Sequence, residues 1–192
     1  DADSPMGIIF KHIYEPVPSP RQYIPTLPIG IEQVIVKALA KEPDARYQTG
    51  REMAEEALDI SEARYRSLFD NVPVGLYRST PEGQTLEANP ALVEMLGYPD
   101  VETFLAINTI DEYIEPQDRQ RWQAMMEQQG VVLGFETQWR RYDGTTIWVR
   151  ESSRVVRDEK DQVLYYEGAV EDITERKRAQ KALQESEDRF RR

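Results

Sequence analysis

Cysteine is absent from the chain, and histidine occurs once, as His12. Without thiols there is no disulfide, no thiolate metal ligand and no cysteine nucleophile. The same absence is expected of a cytoplasmic protein. No zinc constellation can form, and the carboxylates are scattered without metal-site spacing. No apolar run approaches the roughly 18 residues that a membrane span needs, and no signal peptide opens the chain. Basic residues are the minority, with 24 Lys and Arg against 35 Asp and Glu and a formal charge of -11. That balance argues against nucleic acid as a partner and reads as a solubilising surface. What is left, 192 residues of which 40% are apolar, suffices for one or two small domains.

The most informative stretch runs from Arg141 to Lys177. Asp143-Gly144 is a two-residue hairpin signal, because both residue types tolerate the positive φ of tight turns. Residues 145–156 are rich in β-branched and aromatic side chains, 158–161 make a polar turn, and 163–170 form a second strand. From Thr174 onward there is no Pro or Gly, and the residues are good helix formers. Asp172 and Thr174 sit at the join, where either side chain can cap the helix. A sheet therefore hands its last strand directly to an exit helix.

The segment Gly168-Ala169-Val170-Glu171-Asp172-Ile173-Thr174-Glu175-Arg176-Lys177, behind that hairpin, closely resembles the C-terminal (PAC-type) motif of PAS sensor domains. Gly83 to Leu92 and Met95-Leu96-Gly97-Tyr98 look like the strand–turn–helix segment of the same family. The resemblance covers about residues 62–176. It implies an α+β PAS fold, a five-stranded antiparallel sheet with short helices on one face. An N-terminal helical segment and a C-terminal exit helix flank it.

The strands expected upstream are Val74 to Thr80, Gln84 to Ala88 and about Val131 to Arg141. Helices are expected from Asn89-Pro90 to Leu96, over 101–107, and over 116–129 with Trp122, Met125 and Met126 inward. Gly97 and Gly130 stop two of them.

Residues 1–60 differ in character. Pro5, Pro16, Pro18, Pro20, Pro25, Pro28 and Pro43 account for most of the twelve prolines. Helices are expected at Met6–Tyr14, at 31–40, and from near Gly50 after a Thr49 cap. Lys37-Ala38-Leu39 through Arg46-Tyr47-Gln48 resembles the final helices of a bacterial serine/threonine protein kinase C-lobe; the plain alternative is a generic helical extension. In that family the arginine matching Arg46 makes a buried ion pair with the glutamate of an Ala-Pro-Glu motif. That glutamate, the glycine-rich loop, the strand lysine, the catalytic-loop aspartate and the Asp-Phe-Gly site are missing here, so the chain is not expected to be a kinase by itself. Its parent is expected to be one. If Arg46 is buried without its partner, these helices would be loosely packed or repacked.

Leu58, Ser61, Tyr65, Leu68 and Val72 follow a 3-4-3-4 seam. They fit either one helix of 22 residues, a lever of about 33 Å, or two helices with a kink near Asp59. Ser186-Glu187-Asp188-Arg189-Phe190-Arg191 echoes Ser61-Glu62-Ala63-Arg64-Tyr65-Arg66, as though a second PAS unit began there. With no initiator Met and a helical pattern running to Arg192, the sequence reads as a piece of a longer protein. The domains expected are residues 1–58 (kinase-like helices), 59–72 (linker and flanking helix), 73–173 (PAS) and 174–192 (signalling helix).

PAS domains often hold a small molecule between sheet and helices. Here a cysteinyl-flavin adduct lacks its cysteine. Histidine-ligated haem lacks an imidazole, since His12 lies in the kinase-like part and reads as a helix-surface or packing residue. Where many relatives have histidine before the long-helix proline, this chain has Glu115 before Pro116. Haem held by Met95, Met125 or Met126 is open, though methionine at helical spacing is usually core. Candidate pocket residues are Tyr77, Leu92, Met95, Leu96, Phe104, Phe135, Trp148, Glu151, Ser153 and Tyr166, with Trp139 also aromatic there; simple core packing is their commoner role.

Along 146–156, alternation places Ile147, Val149, Glu151, Ser153 and Val155 on one face, against Trp148, Arg150, Ser152, Arg154 and Val156 on the other. Inward-facing Glu151 and Ser153 would need polar partners, which a polar ligand could supply. The simpler expectation is that the barer face meets solvent or a partner subunit. Asp172, Ile173 and Thr174 are the expected signal-transmission residues, and the amphipathic flanking helices suggest a homodimer.

Overall fold

The computed structural model of the chain describes residues 4–108 and 114–190, without the side chains of His12 and Phe190, so the reading of His12 lies outside the described residues. The chain divides into two compact units, Asp1–Ser67 and Leu68–Arg192.

In the first unit, α1 (Pro5–Tyr14) starts at Ser4, whose hydroxyl accepts from the Gly7 amide at 3.1 Å. Helix α2 (Ile29–Ala38) buries Val34. It meets α3 (Gly50–Asn71) so closely that a Cβ on Gly30 would stand 2.4 Å from a methyl of Ile60. Thr49 caps α3: its Oγ1 accepts from the Glu52 amide at 3.1 Å, and the Glu52 carboxylate accepts from the Gln48 amide, one residue before the cap, at 3.0 Å. Helix α3 is one continuous helix of 22 residues rather than two. Arg46 is exposed rather than buried. Its guanidinium donates to the carbonyls of Ala40 at 2.6 Å and Lys41 at 3.0 Å, which terminate the segment after α2. The cost of a buried unpaired cation therefore does not arise.

The second unit is a five-stranded antiparallel sheet in the order β2-β1-β5-β4-β3. Its strands are β1 (Gly75–Ser79), β2 (Thr85–Ala88), β3 (Val131–Arg140), β4 (Thr146–Arg157) and β5 (Val163–Asp172). Helices α4 (Pro90–Leu96), α5 (Val101–Leu105) and α6 (Pro116–Gln129) complete the core, which joins Leu92, Leu96, Phe104, Trp122 and Met126 to Phe135, Val149 and Val170 of the sheet. Helix α7 (Thr174–Phe190) leaves the end of β5. Left-handed glycines end α4 and α6, at Gly97 (φ 74°) and Gly130 (φ 69°).

The β3–β4 turn differs from the two-residue form expected. Arg141 donates to the Thr145 carbonyl at 2.8 Å, leaving Tyr142, Asp143 and Gly144 as a three-residue tip in which only glycine takes positive φ (81°). Asp143 instead accepts from the Thr145 amide at 2.9 Å, so its side chain serves the turn while its φ stays negative.

Asn89 ties the unit's entry together. It is fully buried and caps α4, with Oδ1 accepting from Leu92 N at 3.1 Å and Leu76 N at 2.8 Å. Its Nδ2 donates to the carbonyls of Phe69 at 3.0 Å and Val74 at 2.9 Å. Replacing it with alanine is expected to cost about 3 kcal/mol, more than a cap alone, because four backbone groups lose their partner. Chemical denaturation of the Asn89→Ala variant checks this, and a loss below about 1 kcal/mol would reduce Asn89 to an ordinary cap.

Candidate functional site

Strand β4 turns its Ile147, Val149, Glu151 and Ser153 side chains into the core. The face expected to meet solvent is therefore the inner one, and Glu151 is 1% exposed. Its partners come from the protein itself. Tyr77 of β1 donates its hydroxyl to Glu151 Oε1, and Ser153 Oγ donates to the same oxygen at 2.8 Å. The two hydroxyls are 3.0 Å apart.

These residues come together because of a glycine. Tyr77 and Ser153 both lie opposite Gly168 of the intervening strand β5. A Cβ there would stand 2.5 Å from Ser153 Oγ and 2.8 Å from the Tyr77 ring. Only a residue without a side chain lets the phenol cross β5 to reach β4. Burial, and then the Glu151 charge, push the Tyr77 hydroxyl well above the ordinary tyrosine range, so it stays a proton donor. Arg119 of α6, also buried, acts oppositely on that hydroxyl and lies 4.4 Å from the Trp122 ring centroid.

Of the sequence-derived candidates, Tyr77, Leu92, Leu96, Phe104 and Phe135 share the buried core with Glu151 and Ser153. Met95 and Tyr166 pack against it half-buried, Tyr166 edge-on to Trp122 at 5.3 Å. Trp148 does not join them. It lies on the opposite face of β4, where the Lys177 ammonium sits 4.9 Å from its ring centroid. Arg119 was not singled out from sequence, and Gly168 was named only as the first residue of the C-terminal motif, not as a site residue. A glycine inside a strand is a signal for close approach; an arginine on a polar helix gives none.

Asp172, Ile173 and Thr174 meet β4 on that outer side. The Ile173 amide donates to the Trp148 carbonyl at 2.8 Å, and the Trp148 amide donates to Thr174 Oγ1 at 3.0 Å. Asp172 divides its carboxylate: Oδ1 accepts from the Thr174 amide at 2.8 Å, and Oδ2 pairs with Arg141 at 3.3 Å. Glu136 of β3 holds the next turn through Arg176 and, at 2.5 Å, Lys177. Lys177, with a smaller contribution from Arg176, keeps the Glu136 carboxyl below the ordinary glutamate range.

Residues 85–170 match the family model described as PAS fold. That stretch has the PAS fold. The PAS domain of a Colwellia psychrerythraea protein superposes with a TM-score of 0.54 at 22% identity, covering 61% of this chain and 99% of that one. The chain is 29% identical over 131 residues to the sensor histidine kinase TmoS of Ectopseudomonas mendocina, covering 66% of this chain and 13% of that protein. It is also 40% identical over 63 residues to the serine/threonine-protein kinase PknB of Mycolicibacterium smegmatis, covering 32% of this chain and 10% of that protein. It thus spans a small fraction of either curated relative. Among the described residues, no helix is long and apolar enough to cross a membrane.

Two outcomes test this geometry. Tyr77→Phe removes one donor from a buried carboxylate and should destabilise the domain by about 1–3 kcal/mol; a neutral effect in denaturant titration would mean Glu151 does not need the phenol. Because Glu136 titrates below an ordinary glutamate, its stabilisation of α7 is complete above about pH 4.3 and is lost as pH falls through its lower folded value. Glu136→Gln should therefore weaken amide protection in the first turn of α7 near neutrality, and the difference from wild type should shrink as the pH drops below 4. A difference independent of pH would assign the clamp to shape, not charge.

Proposed function

We propose that the chain is a sensory and interaction module of a multidomain bacterial signal-transduction protein kinase, with the PAS domain over residues 73–173 and a signalling helix over 174–192. Residues 1–58 are read as the last helices of a serine/threonine kinase lobe and 59–72 as the linking helix. The partial identity to PknB supports the kinase side of this reading. Small-molecule or partner contact shifts the sheet, and Asp172, Ile173 and Thr174 pass the shift to α7.

The observation that carries the reading is that one strand serves both ends. β4 gives Glu151 and Ser153 to the buried polar cluster and gives the backbone of Trp148 to Ile173 and Thr174. A ligand that competes for Glu151 would act on the strand to which α7 is fastened, and it could bias the helix only by binding its two states unequally.

A second reading, a ligand-free PAS domain acting only in homodimerisation, is favoured by the same cluster, because Tyr77 and Ser153 already serve Glu151. Exposed Leu58, Tyr65 and Leu68 of α3 and Leu183 of α7 would supply the contact. Asp172→Ala in the full-length parent separates the two. Changed kinase or downstream output with an unchanged melting curve supports transmission. Unchanged output, with association rising with concentration, leaves dimerisation.

A further inference from the structure

We propose that Tyr98, Tyr142 and Arg141 form a relay that carries movement of the α4 end of the core round the tip of the β3–β4 hairpin to the root of α7. It rests on reading Asp172–Thr174 as the exit junction and adds a route to it that bypasses the sheet.

The route begins at Leu96, the last residue of α4 and 0% exposed, so any expansion of the core displaces it. Its carbonyl is one of those a helix end leaves without an intrahelical donor. The amide of Tyr142, at the hairpin tip, fills that place at 2.9 Å. A second contact runs beside it. Tyr98, just past the left-handed Gly97, packs edge-on to Phe104 at 5.0 Å and tilted against Tyr142, also at 5.0 Å. Movement of Leu96, Tyr98 or Phe104 therefore reaches Tyr142 through both backbone and ring.

Arg141 is the next residue, and its backbone is pinned on both sides. It donates to the Thr145 carbonyl at 2.8 Å and accepts from the Gly144 amide at 2.9 Å. The tip consequently moves as a piece. The Arg141 side chain holds Asp172 Oδ2 at 3.3 Å, while Oδ1 of the same carboxylate holds the amide that begins α7 at 2.8 Å. A carboxylate gripped at both oxygens cannot follow the hairpin without disturbing the Thr174 amide. The two-state element that such a relay needs is the first turn of α7, fastened or released.

Hydrogen exchange on the whole chain tests this. Tyr98→Leu removes the ring contact on the α4 side and should speed exchange of the Thr174–Lys177 amides about two- to fivefold, the range of a single half-exposed contact. In an Arg141→Gln background the same substitution should add nothing further. An equal increment in both backgrounds, or none in the wild type, overturns the relay. Should Tyr98→Leu loosen β1 and β5 as well, the reverse perturbation decides, because coupling is reciprocal. Asp172→Asn must then speed exchange at the Tyr142 amide, and an unchanged Tyr142 overturns the proposal. If the relay fails while Asp172→Ala still alters the parent's output, the sensor reading stands and only this route falls.

Discussion

A carboxylate in an apolar core is the constraint on which the rest of the PAS domain depends. Glu151 lies between Val149 and Ser153 on a strand that faces Phe135 and Val170. A buried carboxylate is tolerated only with good donors around it, since an unpaired one costs several kcal/mol. The donor from β1 must cross β5, so β5 must have a glycine at that row, and the strands must hold that register. One polar residue thereby fixes the relative position of three strands. A one-residue slip would place Tyr77 opposite a side chain instead of Gly168.

The outer face of the sheet uses charge differently. Glu87, Arg78, Glu167 and Arg154 form a row of alternating sign across β2, β1, β5 and β4, joined by pairs at 2.9, 3.4 and 2.5 Å. Partial burial pushes the Glu167 carboxyl up, but Arg154 and Arg78 outweigh it and leave that carboxyl below its ordinary range. Each pair contributes little alone. Their effect is to make an open sheet face compatible with water, which leaves the end near Trp148 for α7. The root of α7 continues the same device, with Glu136 answered by Arg176 and Lys177.

Much of this was legible in the sequence where local chemistry decides the outcome. The five strands, the helix caps at Asn89 and Thr49 and the stops at Gly97 and Gly130 follow from turn chemistry and side-chain period. The fold class followed from separated motifs in the right order. Glu151 and Ser153 could be paired on one face by alternation, but the direction of that face could not. A strand with charged residues on one side and a glutamate and a serine on the other gives no clear hydrophobic side. The answer depended on Tyr77, 74 positions earlier in the chain. The hairpin tip was misjudged because Asp143 has two uses in a turn, as a left-handed residue or as a side-chain acceptor, and sequence does not choose between them. The family resemblance left open whether Arg46 is buried; it is exposed, and its guanidinium donates to two carbonyls after α2.

The two helical attachments of the domain share a physical design that differs from that of its core. Phe69, near the end of α3, is held through its carbonyl by Asn89. The start of α7 is held by hydrogen bonds between backbone and the side chains of Asp172 and Thr174, with ion pairs around them. Bonds of this kind are worth about 1 kcal/mol each, whereas the core beneath excludes water from Trp122, Phe104 and Leu96. Beyond its first turn α7 is largely exposed. Segments held by a few polar contacts open at a lower free energy than the core they adjoin. On the proposed transmission reading, α7 is released without unfolding the core, and the contacts at stake are those gathered on Asp172.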